Sequence, residues 1–459
     1  MKTVIIQKVL LSDLRGLLIQ HNQFSQKQLK LDYAVFFVSL INKLPTFYRS
    51  EEQEERTARL NSQIMKEYSS NYKTYIDFLV KKELIELVKE YGADTGESRT
   101  YKIADKYSCN EIVSYPITDK KLLGKFTDKT TVVKGKEICK AQRPHLVKFF
   151  DEHLQINSRK AFKVVEPYLK ENYAKYLCGT QLITEFHTQD WHYSIKPESD
   201  NRLHSSLTRL NKILRAFVTY KGKYLGCVDV RTSQPYFLSV ILKAILSKDK
   251  KLFKQIGATS TSLLTNKNIE ELFALEIDRD EVERFVLSVI DDKEDFYTLI
   301  QEELDITYDE AGKPFRMVTN YSNRKKKIIN KEEPRKKEVY ESERDFAKSV
   351  VMEIFYSSSK STVPEIKMFR DKFPSVFKIM SYIKNECVEL YTLLSHIEAY
   401  CLLDYVALQF NKKYPDIPLW SIHDSLVTTE NYLPLLKEET ERLLYDITTL
   451  KVNTKEEYW

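Results

Sequence analysis

The sequence predicts an α+β protein of more than one domain, and three observations carry that reading. An amphipathic helix followed by two β-favouring runs around a polar turn lies near residues 70–105. Helical patches dominate much of 106–200. Farther on, short apolar, β-favouring runs at 223–230 and 419–429 are separated by helical segments.

The 459 residues suffice for two or three domains with a substantial core. A composition 42% hydrophobic and 30% charged is that of an ordinary globular protein, and only 10 glycines and 13 prolines argue against long flexible linkers. No run of about 18 apolar residues occurs, so no membrane partner is expected. The opening stretch MKTVIIQKVLLSDLRG is broken by charges and followed by no small-residue cleavage site, so a signal peptide is not expected either. Six cysteines without a CxxC pair exclude the usual zinc-finger spacing and fit the reduced thiols of a cytoplasmic protein. A net charge of +6 permits phosphate binding but does not by itself demand it.

Along the chain, residues 27–67 read as helical, with Leu29, Tyr33, Phe36, Phe37 and Leu40 at helical spacing before the charged run EEQEERTARLNSQIMKEY. A helix at about 70–82 then leads into the strand LIELVKEY, the turn GADTGES and the strand RTYKIAD. Helix and polar-tipped hairpin together form the end of a winged helix-turn-helix unit, which either places a helix in a DNA groove or serves protein contacts and packing. The segment 318–340 carries Arg324, Lys325, Lys326, Lys327, Lys331, Arg335, Lys336 and Lys337. It reads as a solvated loop and, because it precedes a key helix, as a candidate phosphate-contacting surface.

Three segments carry the chemistry. In KYLGCVDVRTSQPYFLSVIL (223–242) one acid, Asp229, lies in an apolar strand that passes into a helix. Such an acid is costly unless it is paired or binds metal, and capping or a salt bridge would explain it as well. In LWSIHDSLVTTE (419–430) a short strand reaches His423 and Asp424 and a second strand leaves, so the acid sits at a hairpin tip. His-Asp pairs also occur in metal phosphohydrolases, but the eight histidines here show no matching ligand pattern. In ESERDFAKSVVMEIFYSS (341–358), Arg344, Lys348, Met352 and Tyr356 recur every four residues and form one helical stripe. Two cations, a thioether and an aromatic suit a triphosphate followed by a sugar and base, although an ordinary amphipathic helix has the same periodicity.

Together the three segments resemble the superfamily of family A DNA polymerases and single-subunit, phage-type RNA polymerases, of which the chain looks like a compact divergent member. Asp229 resembles the motif A aspartate. KSVVMEIFY resembles motif B, with Arg344, Lys348 and Tyr356 at its spacings. IHDS resembles motif C, with His423 and Asp424. Upstream, NRLHSSLTRLNKILRAF (201–217) resembles the block that grips the primer–template and places Arg202, His204 and Arg215 there. The likeness covers about residues 200–430. It departs from the family in Ser357, where most relatives have glycine, and in Gln234, where the DNA polymerases have glutamate and the RNA polymerases glycine. No exonuclease signature is evident in the first 200 residues.

What the resemblance implies is a right-hand polymerase fold, a palm with an antiparallel sheet and helical fingers and thumb, in front of which the helix–hairpin pattern places a winged-helix-like domain. The domains expected are 1–118 for nucleic-acid binding, 119–200 as helical connector or thumb, and 201–459 as palm and fingers, with fingers at about 243–375. The implied function is template-directed nucleotidyl transfer, slightly favouring DNA over RNA synthesis. Its partners would be primer–template or duplex DNA and nucleoside triphosphates. Two Mg²⁺ ions, with Mn²⁺ as substitute, would be held at Asp229, Val230 and Asp424, and Lys348 would be the third catalytic group. Arg344, Lys348, Met352, Tyr356 and Gln234 would meet the nucleotide. Arg202, His204, Arg215, His423, Lys325, Lys326 and Lys327 would meet nucleic acid. The alternatives are a winged-helix replication initiator or regulator with an inactive palm, and a template-independent or protein-primed nucleotidyltransferase.

Overall fold

The computed structural model describes residues 2–47, 56–94, 96–127, 131–259, 263–291, 295–319, 321–322, 327–328, 335–361 and 363–459. Helices and antiparallel sheets alternate along the chain, as the sequence predicts. The amino-terminal elements are β1 (Thr3–Gln7), α1 (Lys8–Phe24), α2 (Leu31–Lys43), β2 (Ala58–Arg59), α3 (Ser62–Tyr68), α4 (Tyr72–Lys81), β3 (Ile85–Lys89), β4 (Thr100–Ile103) and β5 (Ile112–Pro116). β4 lies between β2 and β3, and β1 pairs with β5. One apolar core runs through these elements from Val4 to Leu122.

The expected helix over 27–67 is interrupted. α2 ends at Lys43, where the next residues, with Pro45 among them, tighten into a 3₁₀ turn, Leu44–Phe47. β2 then takes Ala58 and Arg59 into the small sheet, where they pair with Tyr101 and Thr100. α3 is helical again, and Asn61 caps it by accepting from the amides of Gln63 and Ile64.

A second, larger core spans Cys139 to Val452. It contains β6 (Leu154–Ile156), α5 (Tyr173–His187), β7 (Tyr193–Ile195), β8 (Leu203–Ser205), β9 (Val218–Tyr220), β10 (Lys223–Val230) and α6 (Ser233–Leu246). The segment read as helical over 106–200 therefore also holds strands, and β6 pairs with β9 in the main sheet. Beyond α6 come β11 (Thr307–Tyr308), β12 (Pro314–Thr319), β13 (Tyr321–Ser322), β14 (Lys327–Ile328), β15 (Arg335–Val339), α7 (Glu343–Tyr356), α8 (Leu390–Ala399), β16 (Trp420–Ile422), β17 (Ser425–Thr429), α9 (Leu433–Thr448) and β18 (Thr454–Tyr458). Part of the basic run expected as a loop is strand: β15 pairs with β12 from Val339↔Phe315 to Arg335↔Thr319. Lys336, Lys337 and Val339 are exposed, which suits a ladder at the surface.

The main sheet has the order β16-β17-β10-β9-β6, with β18 also paired to β10. β10 is thus its central strand, held by β17 along Leu225–Asp229 and by β18 along Gly226–Val230. α9 presses on this strand. A Cβ built at Gly226 would lie 2.8 Å from Leu433 Cδ2 and 2.9 Å from the Glu457 carbonyl oxygen. The glycine is what lets helix and neighbouring strand come this close.

Gly226→Ala should therefore lower unfolding stability by about 2 kcal/mol or more, read by urea denaturation, because a backbone atom must move to admit the methyl group.

Candidate active site

β10 and β17 run antiparallel with Asp229 opposite Ser425. β16 and β17 are joined by a two-residue turn, since Ile422 pairs directly with Ser425. That turn is His423-Asp424, and His423 sits in left-handed backbone space at φ 52°, as tight hairpin turns require. The register thus sets Asp424 next to the strand that bears Asp229. Ser425 Oγ donates to Asp229 Oδ1 at 2.8 Å. Burial, and next the charge of Asp424, push the Asp229 carboxyl up to about 6, while the Ser425 hydrogen bond and the charge of Lys348 pull it back.

α7 supplies the opposing charge. Phe346, Ala347, Val350, Val351, Ile354 and Phe355 bury one face, and Arg344, Lys348 and Tyr356 stand exposed on the other with Met352 half-buried. Lys348 is close enough to act on Asp229. Arg344 donates twice to Asp295 Oδ2, at 2.9 and 2.7 Å, and its guanidinium lies 5.1 Å from the Tyr297 ring centre. The charges of Arg202, Glu398 and Asp424 all reach the Tyr356 hydroxyl.

A third acid enters from α8. Glu398 is 1% exposed and accepts from Arg202 Nε at 2.7 Å, Ser233 Oγ at 2.6 Å and Gln234 Nε2 at 3.3 Å. Burial first, and the negative charge of Asp424, push its carboxyl up to about 7 against the pull of Arg202 and Ser233. The charge of Asp424 likewise acts on Arg202. Gln234 is buried, and its side-chain carbonyl has no partner among the described residues.

Of the residues picked out from the sequence, Asp229, Asp424, Lys348, Arg202, Gln234 and Tyr356 therefore converge, with Arg344 linked to them through Tyr297, which the charge of Asp424 also reaches. Met352 shares their helix face. His204 bonds to Asp200 with its Nε2 3.0 Å from Oδ2. Arg215 is drawn elsewhere, stacked 5.4 Å from the Trp459 ring. The Val230 side chain is buried in the sheet, which leaves only its main chain as a ligand. Lys325 and Lys326 lie outside the described residues, as does the Lys327 side chain. Sequence reasoning missed Glu398, Ser233, Asp295 and Tyr297. Glu398 had a signal of the same kind as Asp229, a lone acid in the apolar run LYTLLSHIEAY.

Among the described residues no three His, Cys, Asp or Glu side chains converge as a metal cage. Asp229 and Asp424 are a pair of carboxylates in mutual repulsion. Such a pair fits a hard divalent cation that takes the rest of its oxygen ligands from phosphate and water. No protein-family model and no curated protein matches this chain. Among solved structures, the POL domain of Pol1 from M. smegmatis, in complex with DNA primer-template and dNTP, aligns at a TM-score of 0.31 and 10% identity. The alignment covers 72% of this chain and 61% of that one, a likeness that adds nothing to the geometry.

The raised carboxyl at Asp229 disfavours its charged form, so it costs folding free energy that grows as pH rises from the ordinary carboxylate range through about 6. In metal-free buffer at about pH 8, Asp229→Asn should stabilise the fold by roughly 1–2 kcal/mol, and the gain should vanish below about pH 4. Thermal unfolding across that range checks the sign.

Proposed function

We propose that this chain is a template-directed nucleotidyltransferase that extends a nucleic-acid 3′ end, with DNA the favoured product. The observation that carries the reading is the side-by-side placement of Asp229 and Asp424 by the β10–β17 register, facing the cationic stripe of α7. Two divalent cations bound by this pair would activate the attacking hydroxyl and stabilise the leaving oxygen of an in-line displacement.

The chain's own groups would do the positioning. Ser425 holds Asp229 in one rotamer through its hydrogen bond. Lys348 would neutralise the triphosphate and hold a proton for the departing pyrophosphate. Arg344 would join it once phosphate oxygens replace Asp295. Tyr356, 51% exposed, would offer its ring to the incoming sugar and the templating base. Gln234, tethered to Glu398, would lie where the sugar is read. Arg202 would face the primer end, its other side held by Glu398.

In this reading β10, β16, β17 and β18 are the palm and α7 belongs to the fingers. The amino-terminal elements are a winged helix: α2, β2, α3, α4 and the β3–β4 hairpin follow that order, with the strand order β2-β4-β3. Lys73 and Lys81 lie on the exposed face of α4, which suits contact with a phosphate backbone. The same topology favours a second reading, a DNA-binding initiator whose palm is silent.

Extension of a labelled primer–template with Mg²⁺ and separate dNTP and rNTP pools decides between them. Extension with dNTPs is expected, with Asp424→Ala abolishing it and Lys348→Ala slowing it by roughly 10²-fold. Extension only with rNTPs would move the enzyme to RNA synthesis. Duplex binding without incorporation from either pool would make the chain an initiator.

A further inference from the structure

The last turn of α7 sets where Tyr356 stands, and that turn is closed from outside the helix. A helix ends with carbonyls that its own amides do not reach. Many helices answer this by turning the following residue left-handed, a conformation that suits glycine. Ser357 instead leaves α7 in extended backbone, at φ −75° and ψ 158°, after its amide has bonded to the Glu353 carbonyl at 2.8 Å. Lys384 takes up the carbonyls on either side of the exit. Its Nζ donates to the Ile354 and Ser357 oxygens, at 2.8 Å each. These two acceptors bracket Tyr356 in the sequence, so one ammonium ties down the backbone before and after the ring.

The cation comes from a separate element. A helix over Pro374–Tyr382 passes into a π-turn, Ile383–Cys387, that carries Lys384 and Asn385. Such wide turns recur at functional sites. Asn385 Oδ1 accepts from Ser359 Oγ at 2.8 Å, and Arg370 Nη2 donates to the Ser359 and Ser361 carbonyls at 3.3 Å each. The segment leaving α7 is thus held at several points, and the Lys384 contacts are those that flank Tyr356. The contact is made at a cost in hydration. Burial pushes the Lys384 ammonium down to about 8, with the charge of Glu389 pulling it back. It is still charged at neutral pH and meets the negative end of the α7 dipoles. A lysine that merely covered surface would keep its amine in water. The Tyr356 ring is 51% exposed and meets Tyr391, itself 41% exposed, edge-on with ring centres 5.6 Å apart. A ring this exposed takes its position chiefly from its backbone.

We propose that Lys384 is a positioning residue for the nucleotide site: by clamping the end of α7 it fixes Tyr356 where the incoming sugar and the templating base are met. The inference rests on the nucleotidyltransferase reading, in which Lys384 touches neither nucleotide nor metal and acts through Tyr356.

The test is steady-state primer extension with Mg²⁺ by the wild-type chain, Lys384→Met, Lys384→Gln, Tyr356→Ala and the double variant Lys384→Met/Tyr356→Ala, with folding checked by thermal unfolding. Both Lys384 variants remove the charge, and Lys384→Gln carries the comparison if Lys384→Met does not fold. The expected result is a KM for the incoming nucleotide raised about tenfold, with kcat lowered by less than about threefold. The double variant should lose no more than Tyr356→Ala alone, because a residue that acts through Tyr356 then has nothing left to hold. A wild-type KM in a folded Lys384 variant, a fall in kcat with KM unmoved, or losses that add in the double variant would each overturn the role of Lys384 and leave the nucleotidyltransferase reading standing. No extension by the wild-type chain would overturn that reading, and this role with it.

Discussion

Like charges repel, and the pairing of β10 with β17 forces two of them together. Asp229 faces Ser425 across the ladder, so Asp424, one residue earlier in the turn, has nowhere to go but beside it. In water the repulsion between two such groups is worth about 1 kcal/mol, and it rises several-fold where solvent is displaced. The surroundings answer it in kind: Ser425 donates to one carboxylate, Lys348 stands opposite, and the Arg202–Glu398 pair sits at the flank. Gly226 contributes by absence, since any side chain there would push α9 and β18 off the strand that carries the charge.

Glu398 shows how closely the acid pair is tied to the surrounding helices. A carboxylate this deep is stable only when its oxygens are occupied. Arg202 from just before β8, and Ser233 and Gln234 from the start of α6, supply the donors. One side chain thereby locks α8, α6 and the segment before β8 into one arrangement beside the turn that holds Asp424. It also fixes which end of the Gln234 amide faces inward, because the carboxylate accepts from the nitrogen and leaves the carbonyl unpartnered among the described residues.

Much of this was legible in the residues. Alternation and apolar runs mark β10, β16 and β17, the every-fourth stripe marks α7, and the polar tip marks the β3–β4 hairpin. These signals are local: each element buries one face and needs no partner to be recognised. What the sequence concealed depends on partners. β2 and β6 are two and three residues long and become strands only by joining sheets made elsewhere. β15 looks like a loop because its sequence is dominated by consecutive cations, and the ladder with β12 is what orders it. Glu398 and Asp295 were hidden for a related reason, since an acid on a helix is unremarkable until its cation arrives from another segment. Arg215 shows a further dependence on distant partners: its spacing from Arg202 and His204 is read along the chain, while its guanidinium lies against the Trp459 ring.

The main sheet also constrains how the chain can reach this state. The hydrogen bond that orients Asp229 joins groups 196 positions apart, and the other ladder of β10 is completed only by residues 454–458. Closing loops of this length is entropically expensive and slow. A nascent chain that has released β10 from the ribosome therefore carries a central strand with both main edges open until β17 and β18 emerge. During that interval the strand is an aggregation hazard, and Asp229, not yet confronted with Asp424, is an ordinary exposed acid that helps keep it in solution. The electrostatic tension at the site is thus a property of the finished sheet, absent until β17 pairs with β10.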